Sequence, residues 1–185
     1  MVSIKPYKPK YYKDLQQVCI NTGPLEAATD PVVRDTILTI YCNYYCEVEG
    51  ENSFALVDEN DNAQGYIFSA PSFKKYRKAF KPYLKKLRQI NPSCLKEVIG
   101  EHIAYGICSI KYPAHLHIDI NEGFRGNGNG SRMMDTLLTS LRDKKIKGVM
   151  LIVGSDNARG INFYKKHGFK PLMSVGGGTV MAKEL

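Results

Sequence analysis

The chain has 185 residues, of which 43% are apolar and 24% charged. That is the length of one ordinary domain with a real core, and the composition excludes a disordered or fibrous protein. The formal charge of +8 is local, because 71–90 carries eight lysines and arginines and no acid while the remainder is balanced.

Residues 2–5 start a short strand. Tyr11, Leu15 and Val18 recur at helical spacing across Lys10–Cys19, and Asn21-Thr22-Gly23-Pro24 stops that helix. Asp30-Pro31 has the form of an N-cap followed by proline at the first helical position. Behind it, Val33, Ile37, Ile40, Tyr41, Tyr44 and Tyr45 predict one helix over 31–47. Ser53–Asp58 and 64–69 flank the turn cluster Glu59-Asn60-Asp61-Asn62 and read as a β-hairpin. In the basic segment Phe73, Tyr76, Phe80, Tyr83 and Leu87 make an amphipathic pattern. Pro82 divides it or opens a second helix, and Asn91-Pro92 ends it. This insertion is a candidate lid or homodimer contact, or a solvated helix face. Residues 102–110 show no decisive pattern.

Ala114–Ile120 alternates cleanly, with Leu116, Ile118 and Ile120 on one face and His115, His117 and Asp119 on the other. After a glycine-rich turn, Met133, Met134, Leu137, Leu138 and Leu141 mark the buried side of a helix. Gly148–Val153 is a strand, and Asn157–Lys166 a helix closed by His167-Gly168. Phe169–Val175 and Thr179–Ala182 are strands around Gly176-Gly177-Gly178. The expectation is one mixed α/β (α+β) domain over 1–185.

No run approaches the roughly 18 apolar residues of a membrane span. Met1–Pro6 lacks a basic region followed by an apolar run, so a cytoplasmic protein with no membrane partner is expected. Cys19, Cys42, Cys46, Cys94 and Cys108 form no tight framework and read as reduced thiols. Cys42 and Cys46, four apart, suit core packing, and no metal-ligand spacing is present. The basic segment has no nucleic-acid-binding signature beside it, so nucleic acid is not an expected partner.

The most informative stretch is Arg125-Gly126-Asn127-Gly128-Asn129-Gly130, between a strand and a helix. Glycines allow close backbone approach, successive N–H groups can converge on an anion, and the helix adds unpaired N–H groups. A diphosphate fits; a bare glycine loop is the plain alternative. A nucleoside-triphosphate loop would need a lysine where Ser131-Arg132 stands. A dinucleotide fold would place a different glycine spacing after the first strand.

These residues carry a resemblance. Ile118–Phe169 resembles the conserved half of the GNAT acetyltransferase superfamily: Arg125, Gly128 and Gly130 match its turn motif, and Asn157, Tyr164, Gly168 and Phe169 its downstream pattern. Tyr112–Phe124 and Val153–Asn157 also resemble the acetyltransferase-like domains related to O-GlcNAc hydrolases. The resemblance implies a mixed central sheet flanked by helices, with a helical insertion near 71–92. It implies an N-acetyltransferase using acetyl-CoA as cosubstrate, with a small-molecule primary amine as acceptor. A protein or peptide acceptor, or a catalytically weak acetyl-CoA-binding interaction domain, are the alternatives.

The resemblance also implies roles. Acetyl-CoA would lie between strands 114–120 and 148–153. Ile118, Asp119 and Ile120 would hold the pantetheine arm. Arg125, Gly126, Asn127, Gly128, Asn129, Gly130 and Ser131 would hold the pyrophosphate. Asn157 would bond the lower cofactor, as well as or instead of capping its helix. Tyr164 would bind at the thioester and protonate the leaving sulfur, or else simply pack beneath the sheet. His117 is the first candidate base and Asp119 the second; a water chain would leave His117 structural. Tyr41, Tyr44, Tyr45 and Gly176–Gly178 would wall the acceptor site. Glu47 and Glu49 are candidates for its ammonium. His102 and His167 read as ordinary.

Overall fold

The computed structural model describes residues 2–185. The turn cluster acts early in the chain. Asp58 accepts from the amides of Asn60 and Asn62, and Asp61 takes φ 63°, so strands β2 (Phe54–Val57) and β3 (Ala63–Ala70) fold back on each other. Strand β1 (Ser3–Pro6) pairs with the outer side of β2, and β4 (Ala114–Ile120) with β3. Beyond β4 come β5 (Gly148–Gly154), β7 (Gly178–Glu184) and the edge strand β6 (Lys170–Val175). The seven-stranded order is β1-β2-β3-β4-β5-β7-β6.

Every neighbouring pair is antiparallel except β4–β5. That parallel pairing holds only at Ala114↔Val149 and His115↔Met150. From Leu116 onward the two strands diverge, while β4 stays paired to β3 as far as Ile120. A cleft therefore opens in the middle of the sheet, with the β5-facing edge of β4 exposed as an unpaired strand edge.

Helix α1 (Tyr12–Thr22) ends at Gly23, as its sequence predicts. Asp30 caps α2 (Pro31–Leu38), accepting from the amides of Val32 and Val33. The single helix expected over 31–47 is instead α2, a π-helical turn at Thr39–Asn43, and α3 (Tyr44–Val48). A π-turn inserts one residue into the repeat and rotates the helix beyond it. Tyr44 thereby sits in the core, fully buried among Tyr76, Phe80 and Tyr83, rather than on an acceptor wall.

The insertion holds α4 (Phe73–Ala79) and α5 (Lys81–Ile90), with Pro82 in the first turn of α5. It continues, beyond the expected boundary near 92, into α6 (Leu95–Cys108). Helix α6 escaped the sequence pattern because neither side is plainly polar. Val98 and Ala104 are buried, while Ile99, Ile103 and Ile107 lie 48%, 60% and 61% exposed. Helices α7 (Asn129–Asp143) and α8 (Ala158–Lys166) cover the opposite face of the sheet. No described helix is long and apolar enough to cross a membrane.

The sheet separates two cores. One lies beneath α1 to α6 and holds Tyr44, Tyr45, Phe68, Phe80 and Met150; the other, beneath α7 and α8, holds Met133, Leu137, Leu151 and Phe169. Cys42 and Cys46 pack in the first, with their sulfurs 4.0 Å apart. So does His115, 1% exposed, whose Nε2 pairs with the Tyr45 hydroxyl at 2.9 Å while Nδ1 has no partner. Burial, then the nearby His102 and His117, push its pKa down to about 3. The folded pKa lies below the unfolded value of 6.5, so the unfolded chain takes the proton first. The stabilisation is complete above pH 6.5 and is lost progressively as pH falls toward 3. Between pH 7 and 5 this costs about 2 kcal/mol. Urea unfolding at both pH values measures it. His115→Gln is expected to flatten the pH dependence by that amount, and an unaltered slope would refute the assignment.

Candidate active site

The opening between β4 and β5 leads into a groove of about 510 Å³. Ile118, Asp119 and Ile120 of β4 line one side. Arg125, Gly126, Gly128, Gly130 and Ser131 line the next, followed by Asn157 and Tyr164. The structure thus gathers residues spread over 118–164 around one space.

The turn is built for close approach. Gly126, Asn127 and Gly128 have φ of 86°, 47° and 72°, a left-handed run that glycine adopts without steric penalty. Asn129 N–H bonds to Gly126 O and Arg132 N–H to Gly128 O. Among the described residues, the amides of Gly126, Asn127, Gly128, Gly130 and Ser131 find no protein acceptor. Five free N–H groups at the start of a 15-residue helix are the kind of donor cluster that suits an anion. Gly130 is held tight from behind, since a Cβ there would meet Phe163 at 3.3 Å. Arg125 Nε donates to Ile120 O at 2.8 Å and ties the turn to the end of β4. A second cation, Arg159 of α8, also lines the groove; one unremarkable arginine after an N-cap gave no sequence signal.

One residue of the expected turn, Asn129, has both its amide and its side chain engaged within the protein. The Asn129 side chain is 4% exposed and its Nδ2 donates to Phe124 O at 2.9 Å, so it closes the turn from inside. Asn127 does not line the groove, and its amide, the group expected to serve there, has no protein acceptor. Asn157 caps α8 by accepting from Gly160 N at 2.8 Å and faces the groove as well.

Tyr164 sits with its ring against Phe163 and Phe169. Its hydroxyl has no hydrogen-bond partner among the described residues. Burial, and then the charge of Asp119, raise the phenol pKa well above its ordinary value. His117 Nε2 lies 2.9 Å from Asp119 Oδ2, and the Tyr66 hydroxyl donates to the same oxygen at 2.7 Å. Tyr41 stacks on the imidazole, with ring centroids 5.0 Å apart.

His117 also lines a second cavity, of about 300 Å³, on the α6 side. The groove and this cavity meet at the His117–Asp119 pair. Tyr41, Tyr45, Gly177 and Gly178 wall it, but Tyr44 does not. Glu47 and Glu49 are also elsewhere. Tyr12 and Tyr83 donate to Glu47, and Tyr44 and Asn52 to Glu49, so both carboxylates brace the fold. The cavity's carboxylates are Glu97 and Glu101 of α6, beside His102 and Tyr105. Burial first, then the charge of Glu97, push Glu101 up to about 7, with His117 opposing. Burial, then Arg77, bring His102 down to about 4, so it is neutral at physiological pH. Glu97, Glu101 and Tyr105 went unnoticed, and His102 read as ordinary, because α6 itself had no legible pattern.

Solved structures with this arrangement of strands and helices exist. SsHAT superposes with a TM-score of 0.84 at 22% identity, over 99% of this chain and 98% of that one. The polyamine N-acetyltransferase of Drosophila melanogaster gives 0.69 at 13%, over 100% of both. The PaiA N-acetyltransferase of Thermoplasma acidophilum, solved with coenzyme A, gives 0.65 at 14%, over 100% and 99%. At such identities the likeness shows the fold. Family membership follows from the sequence itself, because residues 56–169, more than half of the chain, match the model of the acetyltransferase (GNAT) family. The chain belongs to the GNAT acetyltransferase family.

Proposed function

We propose that the protein is an N-acetyltransferase that moves the acetyl group of acetyl-CoA to a primary amine of a small molecule. The observation that carries this reading is the junction of an anion-ready groove with a tyrosine-walled cavity at His117 and Asp119. Acetyl-CoA is the cosubstrate. Its pyrophosphate suits the free amides from Gly126 to Ser131, and its pantetheine arm suits the open edge of β4 at Ile118–Ile120.

An imidazole that donates Nε2–H to Asp119 leaves the His117 Nδ1 lone pair for the amine's proton. Asp119, the second candidate base, already accepts from Tyr66 and His117 and orients the ring. The amine nitrogen bonds to the thioester carbonyl carbon, and the C–S bond then breaks. Tyr164, protonated at neutral pH, gives its proton to the departing sulfur. Much of the acceleration is positional, since both reactants arrive in adjoining spaces.

His117→Gln is expected to lower kcat/KM about 10²-fold, the low end of what a general base supplies because water can take over. Thiol release at fixed pH measures it, and an unchanged rate would make His117 structural. The cavity's small volume favours a small acceptor, the kind of substrate named for the Drosophila relative. A peptide acceptor is favoured by one feature. Gly176 and Gly177 have open space where side chains would stand, and Gly177 borders the cavity.

Within this reading residues 1–185 form one cytoplasmic domain, and the exposed basic helices α4 and α5 are where a second copy would meet it. The narrower kinship with domains related to O-GlcNAc hydrolases rests on Tyr112–Phe124 and Val153–Asn157. It would bring with it a weakly catalytic alternative. Thiol release across a panel of amines decides. If acetyl-CoA binds tightly and no amine accelerates release, the enzyme reading is replaced by an acetyl-CoA-binding domain.

A further inference from the structure

Helix α6 brings Glu97 and Glu101, one turn apart, to the wall of the acceptor cavity. No described lysine or arginine lines that cavity. Neither glutamate has an ion-pair or hydrogen-bond partner among the described residues. His102, which also lines the cavity, is kept neutral by burial and by Arg77, so His117 is the lining group that opposes the raised pKa of Glu101. Four phenols complete the surround. Burial dominates the raised pKa of Tyr41, Tyr45, Tyr76 and Tyr105, and the charge of Glu101 reaches all four.

A carboxylate withdrawn from water with no ion-pair partner is costly, and the cost falls when a cation arrives beside it. Tyrosine faces add a second attraction for positive charge. The raised pKa of Glu101 is the same deficit in another form. This demand is of little use to the nitrogen being acetylated. That nitrogen must be neutral to attack, and a carboxylate holding it as an ammonium would keep it protonated. The nitrogen that satisfies Glu101 is therefore a different one from the nitrogen deprotonated by His117.

We propose that the cavity selects acceptors carrying a second positively charged nitrogen besides the amine that is acetylated, with Glu101 as the specificity-determining residue and Glu97 beside it. The inference rests on the N-acetyltransferase reading. It names a substrate class, short aliphatic diamines and amino-guanidines, and excludes acceptors ending in a carboxylate. The lack of a described lysine or arginine in the cavity leaves such a group facing two glutamates.

Diaminobutane, butylamine and aminobutyrate share one carbon chain and differ only at the far end. Thiol release should give a kcat/KM for diaminobutane about thirtyfold above butylamine, the scale of one charge-assisted contact, with aminobutyrate poorest. Glu101→Gln should reduce the diamine-to-monoamine ratio to about threefold, and Glu97→Gln should reduce it less. A ratio near one in the unmodified protein overturns the proposal. So does an equal loss for both amines in Glu101→Gln, which would assign Glu101 to proton transfer. If no acceptor releases thiol, the transferase reading fails, and calorimetric titration of diaminobutane into the protein with acetyl-CoA tests the cation site alone. Saturable binding that Glu101→Gln weakens at least tenfold upholds it. No binding, or binding indifferent to the substitution, overturns it. Acetyl-CoA affinity of each variant reports whether it has folded.

Discussion

Tyr164→Phe is expected to lower turnover about 10³-fold, the middle of the range for a positioned general acid. The dissociation constant for acetyl-CoA should stay within about twofold. The substitution deletes one oxygen and keeps the ring, so the packing against Phe163 and Phe169 survives. What is lost is a hydroxyl at the groove wall with no competing protein acceptor. Burial in low-dielectric surroundings, and then the charge of Asp119, hold that hydroxyl in its protonated form. Steady-state thiol release paired with calorimetric titration of acetyl-CoA separates turnover from binding. Turnover that is unchanged with a good acceptor removes Tyr164 from the reaction. Equal losses in turnover and affinity would make it a binding residue instead.

Gly128→Val should weaken acetyl-CoA binding by on the order of 10³-fold. Gly128 has φ 72°, a region that β-branched residues avoid at a cost of about 1–2 kcal/mol. A Cβ there would meet no protein atom within 4 Å, so it would project into open space beside the free amides. Displacing a diphosphate from two charge-assisted N–H contacts forfeits about 4 kcal/mol, which is the expected thousandfold. The backbone strain alone should lower the thermal midpoint by a few degrees. Calorimetry and a melting curve measure the two effects independently. Unaltered affinity in a folded variant places the diphosphate somewhere other than this turn.

The half of the molecule from Ala114 onward was almost entirely legible in the sequence. Strand alternation, the glycine run, the Asn157 cap and the His167-Gly168 stop are local signals, and each element formed within two residues of its expected bounds. Cysteine packing and the basic helix pair were legible for the same reason. The acceptor side was not. The π-turn at Thr39–Asn43 changes which tyrosines face the cavity, and nothing in the helical spacing announces it. Glu47 and Glu49 look available in sequence, yet tyrosine and asparagine partners far along the chain or across a turn engage them. Helix α6 carries a cavity face of Glu97, Glu101 and Tyr105 and an outer face of exposed isoleucines. With apolar residues on both sides, periodicity has nothing to detect. Asn129 was placed with the turn by its position between Gly128 and Gly130, but its side chain turns inward to Phe124.

The separation of α6 from the groove has an evolutionary reading. Everything proposed to hold the nucleotide end of the donor lies after Ile118, whereas the two carboxylates facing the acceptor lie on one 14-residue helix inserted between β3 and β4. In the proposed function, donor handling and the acceptor's charge preference thus fall in different stretches of sequence. Mutations on α6 can explore new amines while the donor groove stays under its own constraint. On the proposed reading, a change in the charge the acceptor must carry needs substitutions on that one helix, with the sheet and the turn unaltered.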